Sequence, residues 1–208
     1  MVKVKQMSDS QKYDYALKDI RRCYVYIPAF LRRHLGDQAV VELKNIWQRG
    51  IRQIPEDISM GEKYEIAYGN WLWVAKTTYS FIRRQLGEDG IEQFKRAEVE
   101  ELKQQNSGIA MIILRLIRAL SPGLAFVMLT KQLSYQLQWF TPLNVSELTK
   151  RKLVVQIPRC KILGFADTDE VCITGCQSTY SIWFAEQFRA SFQTECRGNG
   201  CIKTITAL

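Results

Sequence analysis

One pattern occurs twice in the chain. FLRRHLGDQAVVELK begins at Phe30 and FIRRQLGEDGIEQFK begins at Phe81, fifty-one positions on. The copies align without a gap: Phe30 with Phe81, Arg32-Arg33 with Arg83-Arg84, Leu35-Gly36 with Leu86-Gly87, Lys44 with Lys95. In each, the glycine closes an apolar-periodic run and acidic residues follow it. That is the order of a helix C-terminal glycine and the first turn of the next helix. The repeat restricts this half of the chain to helix, glycine turn, helix, used twice. The arginine pairs fall in the last turn of the first helix of each unit, where positive charge meets the negative end of the helix dipole.

Helical patterning continues around the repeat. Residues 63–85 are broadly apolar, which places that helix at the centre of a bundle. Its aromatics, Tyr68, Trp71, Trp73 and Tyr79, read either as core or as the wall of a ligand pocket. After Thr141-Pro142 the character changes. KLVVQIPRCKIL is short and β-rich, and Pro158 suggests an edge or a bulge. Residues 167–187 read as a helix capped by Asp167, Thr168 or Asp169. FRASFQTECR and CIKTITAL follow as two strands. The expected fold is α+β: a helical region over 1–150 with the tandem units near 30–44 and 81–95, then a small antiparallel sheet with one packed helix over 151–208.

Of the 208 residues, 47% are hydrophobic and 11% aromatic, enough to bury a core. The net charge of +8 calls for an acidic partner. The basic residues are dispersed in pairs, without the long run and interleaved aromatics of a nucleic-acid surface, which argues against DNA or RNA. MVKVKQMSDSQKYDY has a basic start with no apolar stretch behind it and does not read as a secretory signal, so a reducing cytoplasm is expected. The stretch GIAMIILRLIRALSPGLAFVMLTKQL, beginning at Gly108, nears membrane-spanning length, but Arg115 and Arg118 lie inside it and Ser121-Pro122-Gly123 breaks it. Two core helices meeting at the break are expected, with a hairpin facing a membrane surface or an oily ligand as the other reading.

The six cysteines are then free thiols or metal ligands rather than a disulfide framework. Asn199-Gly200 is a favoured type I′ turn. An even-numbered loop there, of two or four residues, brings Cys196 and Cys201 to one face of the hairpin. Cys172 and Cys176, four apart on the preceding helix, share a side, and Cys160 on the first strand is a further candidate. Spacing alone leaves metal binding, buried apolar thiols and a catalytic or redox cysteine open, while Cys23 reads as packing. His34, the only histidine, sits at the end of a surface helix, which nearly removes a Ser-His-Asp or Cys-His mechanism. Phosphate-loop, dinucleotide and HExxH patterns are absent from the sequence. A nucleophile or base here would be a cysteine or a carboxylate.

EVCITGCQSTYSIWFAEQFRASFQTECRGNGCIKTI resembles the C-terminal part of 4-vinyl-reductase-type small-molecule-binding domains. In that pattern a cysteine opens a long helix, a strand ends in cysteine, and a second cysteine opens the last strand after a glycine-containing turn. Cys172, Cys196 and Cys201 fall on these positions, and the resemblance implies a structural zinc held by them with a nearby glutamate. This chain has Gln193 where the glutamate would stand, and Glu195 two residues on. The region is also similar to the related aminothiazoline-carboxylate hydrolase family, which places an aspartate soon after the helix cysteine; here Gln177 and Ser178 follow Cys176.

These resemblances imply a non-catalytic binding or assembly protein for an apolar molecule, an aromatic compound or a tetrapyrrole pigment. Tyr68, Trp71, Tyr180 and Trp183 are the candidate ligand-binding residues. The alternative is a hydrolase opening a small sulfur-containing ring, with Cys176 or Cys172 in the chemistry, and a third reading is a ligand-sensing regulatory module. A peripheral membrane contact, a protein partner and a homodimer stay open as associations.

Overall fold

The computed structural model describes residues 4–105, 108–165 and 167–208, for 109–111 the backbone only. The first three residues of the basic N-terminus lie outside them. Five helices come first: α1 (Asp9–Leu35), α2 (Asp37–Gly50), α3 (Met60–Gln105), α4 (Ile109–Leu120) and α5 (Pro122–Gln136). Strands β1 (Asn144–Leu148) and β2 (Lys152–Ile157) follow, then a π-helical segment, Val171–Thr179, continuing into α6 (Tyr180–Phe188). Strands β3 (Ala190–Arg197) and β4 (Gly200–Ala207) end the chain. The architecture is α+β with an N-terminal helical region, as the patterning indicates.

Local signals start the two long helices. Ser8 and Gln11 form a reciprocal capping box at α1, and Ser59 and Glu62 form another before α3. Buried Ala16, Ile20, Cys23, Ile27 and Leu31 run down α1 at helical spacing and meet the stripe of α3 that includes Tyr68, Leu72 and Tyr79.

Both repeat glycines are backbone joints. Gly36 lies at φ 84, ψ −179 between α1 and α2, and Gly87 at φ 66, ψ −160 inside α3. This region of backbone space is essentially open to glycine alone. In both copies the first arginine of the pair reaches across the joint to the acid that opens the next helix. Arg32 meets Asp37 at 2.7 Å, and Arg83 meets Glu88 at 3.1 Å.

The sheet is antiparallel throughout, in the order β1-β2-β4-β3. One strand, β1, was not expected from the sequence, because NVSEL is short and polar. Pro158 follows the last residue of β2, an internal strand; it ends the strand and marks neither an edge nor a bulge. The hairpin turn also differs. Arg197 pairs with Gly200 and Cys196 with Cys201, so Gly198-Asn199 turns the chain, with positive φ at Gly198 only. That is the type II′ pattern rather than type I′ at Asn199-Gly200. Gly200 has a different duty: a Cβ there would stand 2.3 Å from the Ile157 carbonyl oxygen of β2.

The buried face of the sheet carries Leu153, Val155, Ile157, Ala190, Phe192, Cys201, Lys203 and Ile205. The π-helical segment and α6 pack between this face and the α1–α3 layer, with Trp183 and Phe184 buried. Gly175 lets the segment approach α3, since a Cβ there would lie 2.7 Å from the Tyr79 hydroxyl oxygen. Thr168 occupies the cap position of this helix. Its carbonyl accepts the Cys172 N–H, but its hydroxyl donates backward to Ile162 at 2.7 Å, and Asp167 takes positive φ instead of capping.

Candidate functional site

Where α1, α3, the end of α5 and the π-helical segment meet, they enclose a cavity of about 250 Å³. Its walls are mainly aromatic, with Tyr26, Trp71, Tyr79, Phe94, Tyr180 and Trp183 among them. Polar groups interrupt that wall, and three of them, on α1, α3 and the π-helical segment, carry chemistry.

The first is Asp19 on α1. It pairs with Arg22 one helical turn on and accepts the Trp71 indole N–H at 2.7 Å. Burial raises its pKa, against the lowering effect of Arg22 and the indole. Arg22 also reaches Glu101 at 3.2 Å, so its guanidinium is compensated within the protein.

Glu98 on α3 is the second. The hydroxyls of Tyr79, Thr179 and Tyr26 donate to it at 2.6, 3.0 and 3.3 Å. No cation pairs with it among the described residues. Burial therefore outweighs the three donors, and its pKa is raised to about 6. A carboxyl poised there exchanges a proton near neutral pH, as a general acid or base must.

The third is the thiol of Cys176, which lines the cavity from the π-helical segment. Lys203, on the buried face of β4 and only 3% exposed, donates to its sulfur at 3.0 Å. Burial alone would lower the Lys203 pKa; the neighbouring Cys176 sulfur, followed by Cys201 and Cys172, more than offsets this and raises it. The contact sets a buried cation directly against the cavity sulfur. The ammonium also lies 5.1 Å above the Phe192 ring.

Three of the four aromatics expected to bind a ligand, Trp71, Tyr180 and Trp183, line the cavity. Trp183 is 2% exposed, and its indole N–H has no partner among the described residues. An unpaired buried donor is costly, and a cavity ligand with an acceptor would satisfy it. Tyr68 does not line the cavity. It stands behind the wall, its ring 5.7 Å from Trp71 and 6.4 Å from Trp139.

The sulfurs expected to hold zinc share one side of the sheet. Cys196 and Cys201 are directly opposed, and the Gln177 amide donates to Cys172 at 3.4 Å and to Cys196 at 3.6 Å. Glu195 alternates to the other face and pairs with Arg197 at 2.8 Å, so it is not placed to join them. Among the described residues, no three His, Cys, Asp or Glu side chains are gathered into a group that could hold a metal ion. The donor types suit zinc; the closed ligand set is not formed. All six cysteines are free thiols.

Asp19, Glu98 and Lys203 were not singled out in the sequence. Glu98 and Asp19 stand among exposed charges of the same kind and carry no local mark. Lys203 does carry one: strand alternation places it on the face of Cys201 and Ile205, a charge among apolar neighbours. No family model, curated protein or solved structure matches the chain.

Proposed function

We propose that the protein is a small-molecule enzyme in which Cys176 is the nucleophile and Glu98 moves the proton, acting on a substrate of one or two rings held in the cavity. The contact between Lys203 and Cys176 carries this reading, because it sets a thiol in the cavity wall beside a buried cation. The resemblance to aminothiazoline-carboxylate hydrolases supplies the reaction class. The Cys176 thiolate adds to the amidine carbon of the ring, the ring bond to that carbon breaks, and the Glu98 carboxylic acid protonates the departing heteroatom. Water, deprotonated by the Glu98 carboxylate, then attacks the same carbon and releases the thiolate and the ring-opened urea or carbamoyl product.

Cavity size supports a small substrate. Pockets for drug-sized ligands run to roughly 300–1,000 Å³, whereas an apolar cavity of about 150 Å³ already holds benzene. At about 250 Å³ the space suits one or two rings. A tetrapyrrole is larger than this space. The second reading, a carrier for a small aromatic compound, draws on the aromatic walls and the unpaired Trp183 N–H. A structural zinc at Cys172, Cys196 and Cys201 is part of either reading; it would tie the π-helical segment to the hairpin and take no part in the chemistry.

Incubation with aminothiazoline carboxylate, followed by mass spectrometry of the small molecules, tests the proposal. Ring-opened product is expected from the wild type and none from Cys176→Ser. If no cyclic amidine is turned over, while a small aromatic compound binds wild type and Cys176→Ser equally, the carrier reading replaces it.

A further inference from the structure

No acidic residue occurs between Gln104 and Ser146, the stretch that forms α4 and α5. On α4, Ile112, Ile113, Leu116 and Leu120 are exposed, Leu116 to 63% and Leu120 to 90%. Their spacing puts them on one side of the helix. The other side faces α6, where Arg118 donates to the Gln187 carbonyl oxygen at 3.0 Å. On α5, Leu124 and Met128, one turn apart, continue the exposed aliphatic surface past the tip at Ser121-Pro122-Gly123.

Cations frame this surface. Lys150, in the β1–β2 turn, packs against Gly123 closely enough that a Cβ there would stand 2.9 Å from its own. Arg151 follows it in the turn, Arg115, Arg118 and Arg189 line a depression beside the hairpin, and Lys131 lies exposed on α5. None of these six has a carboxylate partner among the described residues.

We infer that the α4–α5 hairpin is a docking surface for an anionic phospholipid membrane, with the aliphatic tip entering the acyl boundary and the basic rim meeting headgroup phosphates. No helix among the described residues is long and apolar enough to cross a membrane, so the hairpin lies on the surface. Exposed aliphatic side chains beside uncompensated cations are the two signals such binding needs. A second copy of the chain fits poorly, because self-pairing would bring these cations together. A protein partner fits less well too, since the exposed surface of the hairpin is mainly Ile and Leu, with a single Met and none of the Tyr, Trp and Phe that, with Met and Arg, enrich interface cores.

Co-sedimentation tests the inference on the full chain, using vesicles of phosphatidylcholine alone and of equimolar phosphatidylcholine and phosphatidylglycerol. Binding is expected to the mixed vesicles only, and to weaken with added salt. The triple variant Leu116→Ser, Leu120→Ser, Leu124→Ser should lose it with an unchanged circular dichroism spectrum, because these side chains are already in water. Lys150→Gln with Arg151→Gln should weaken it about thirtyfold, from about 1 kcal/mol per cation. Absence of binding to the mixed vesicles, equal binding to both kinds, or a solution dimer that the serine variant disrupts would each overturn the inference.

Discussion

The half-buried cavity carboxyl of Glu98 gives the site its most direct test. Its pKa is about 6 against an ordinary 4.5. The native state therefore binds the extra proton between those values, and the linkage has one sign: relative stability is greatest below pH 4.5 and is lost as pH rises through 6. Carrying the charge in the folded protein costs about 2 kcal/mol once both states are ionised, at about 1.36 kcal/mol per pKa unit. At pH 5 about 0.8 kcal/mol of that cost is present and at pH 8 all of it, a difference of about 1.3 kcal/mol. Glu98→Gln keeps the size and a hydrogen-bonding amide but cannot ionise. Whatever its fixed effect on stability, its advantage over wild type should grow by about 1.3 kcal/mol from pH 5 to pH 8. Asp19 titrates in both proteins and cancels to first order. Urea unfolding followed by tryptophan fluorescence reads this as a change of about half a molar in the difference between midpoints, for a slope of about 2–3 kcal/mol/M. A pH-independent difference would mean that Glu98 is solvated, and a difference of opposite sign would mean that a cation holds it ionised; either refutes the site described above.

Gly36→Ala and Gly87→Ala should each cost about 1–3 kcal/mol from backbone strain alone, since no atom lies within 4 Å of the added Cβ at either site. Gly164→Ala, equally open but at ordinary φ, should cost less than about 1 kcal/mol in the same urea titration. Lys203→Met removes the buried donor to the Cys176 sulfur at similar volume; alkylation of Cys176 by iodoacetamide, mapped by peptide mass spectrometry at pH 7, should slow relative to wild type, and an unchanged rate would separate Lys203 from the chemistry of the thiol. The zinc proposal requires Cys172, Cys196 and Cys201 to close on the ion; protein purified without chelator would then carry close to one zinc per chain by elemental analysis and lose it in Cys201→Ser, and less than about 0.2 per chain in wild type rejects the zinc.

Features of this fold set by one local rule are legible in the sequence. The repeated glycine could be read because an apolar period ends on it and acids follow, and both copies adopt the same glycine-only backbone. The sharing of one face by Cys196 and Cys201 could be read from strand parity. Failures occurred where distant parts decide. Gly200 looked like a turn residue, but the close approach of β2 claims it and moves the turn back one position. Tyr68 and Trp71 stand three apart on one helix, and only the packing of α1 and α5 determines that Trp71 faces the cavity while Tyr68 stands behind it. Nor does any local signal announce nine residues of π-helix, a rare geometry that turns Cys176 and Thr179 to the cavity and Cys172 to the hairpin.

The repeat also accounts for how Glu98 comes to lie in the cavity. Tyr79 and Glu98 are 19 residues apart in α3 and would stand about 28 Å apart along a straight helix at 1.5 Å per residue. They are hydrogen-bonded at 2.6 Å. The chain must therefore double back between them, and Gly87 is the only residue of α3 with non-helical backbone angles. The first copy doubles back in the same way at Gly36, bringing the Tyr24 and Trp47 rings to 5.0 Å. At the repeat offset of fifty-one, Trp47 is the counterpart of Glu98. The same joint thus delivers a buried tryptophan in one unit and an ionisable carboxyl in the other. The first copy closes on itself as core, and the second leaves a charged group that no cation in the described chain compensates. Such a group is expensive to bury as packing alone, which makes the second copy the one whose geometry serves a ligand.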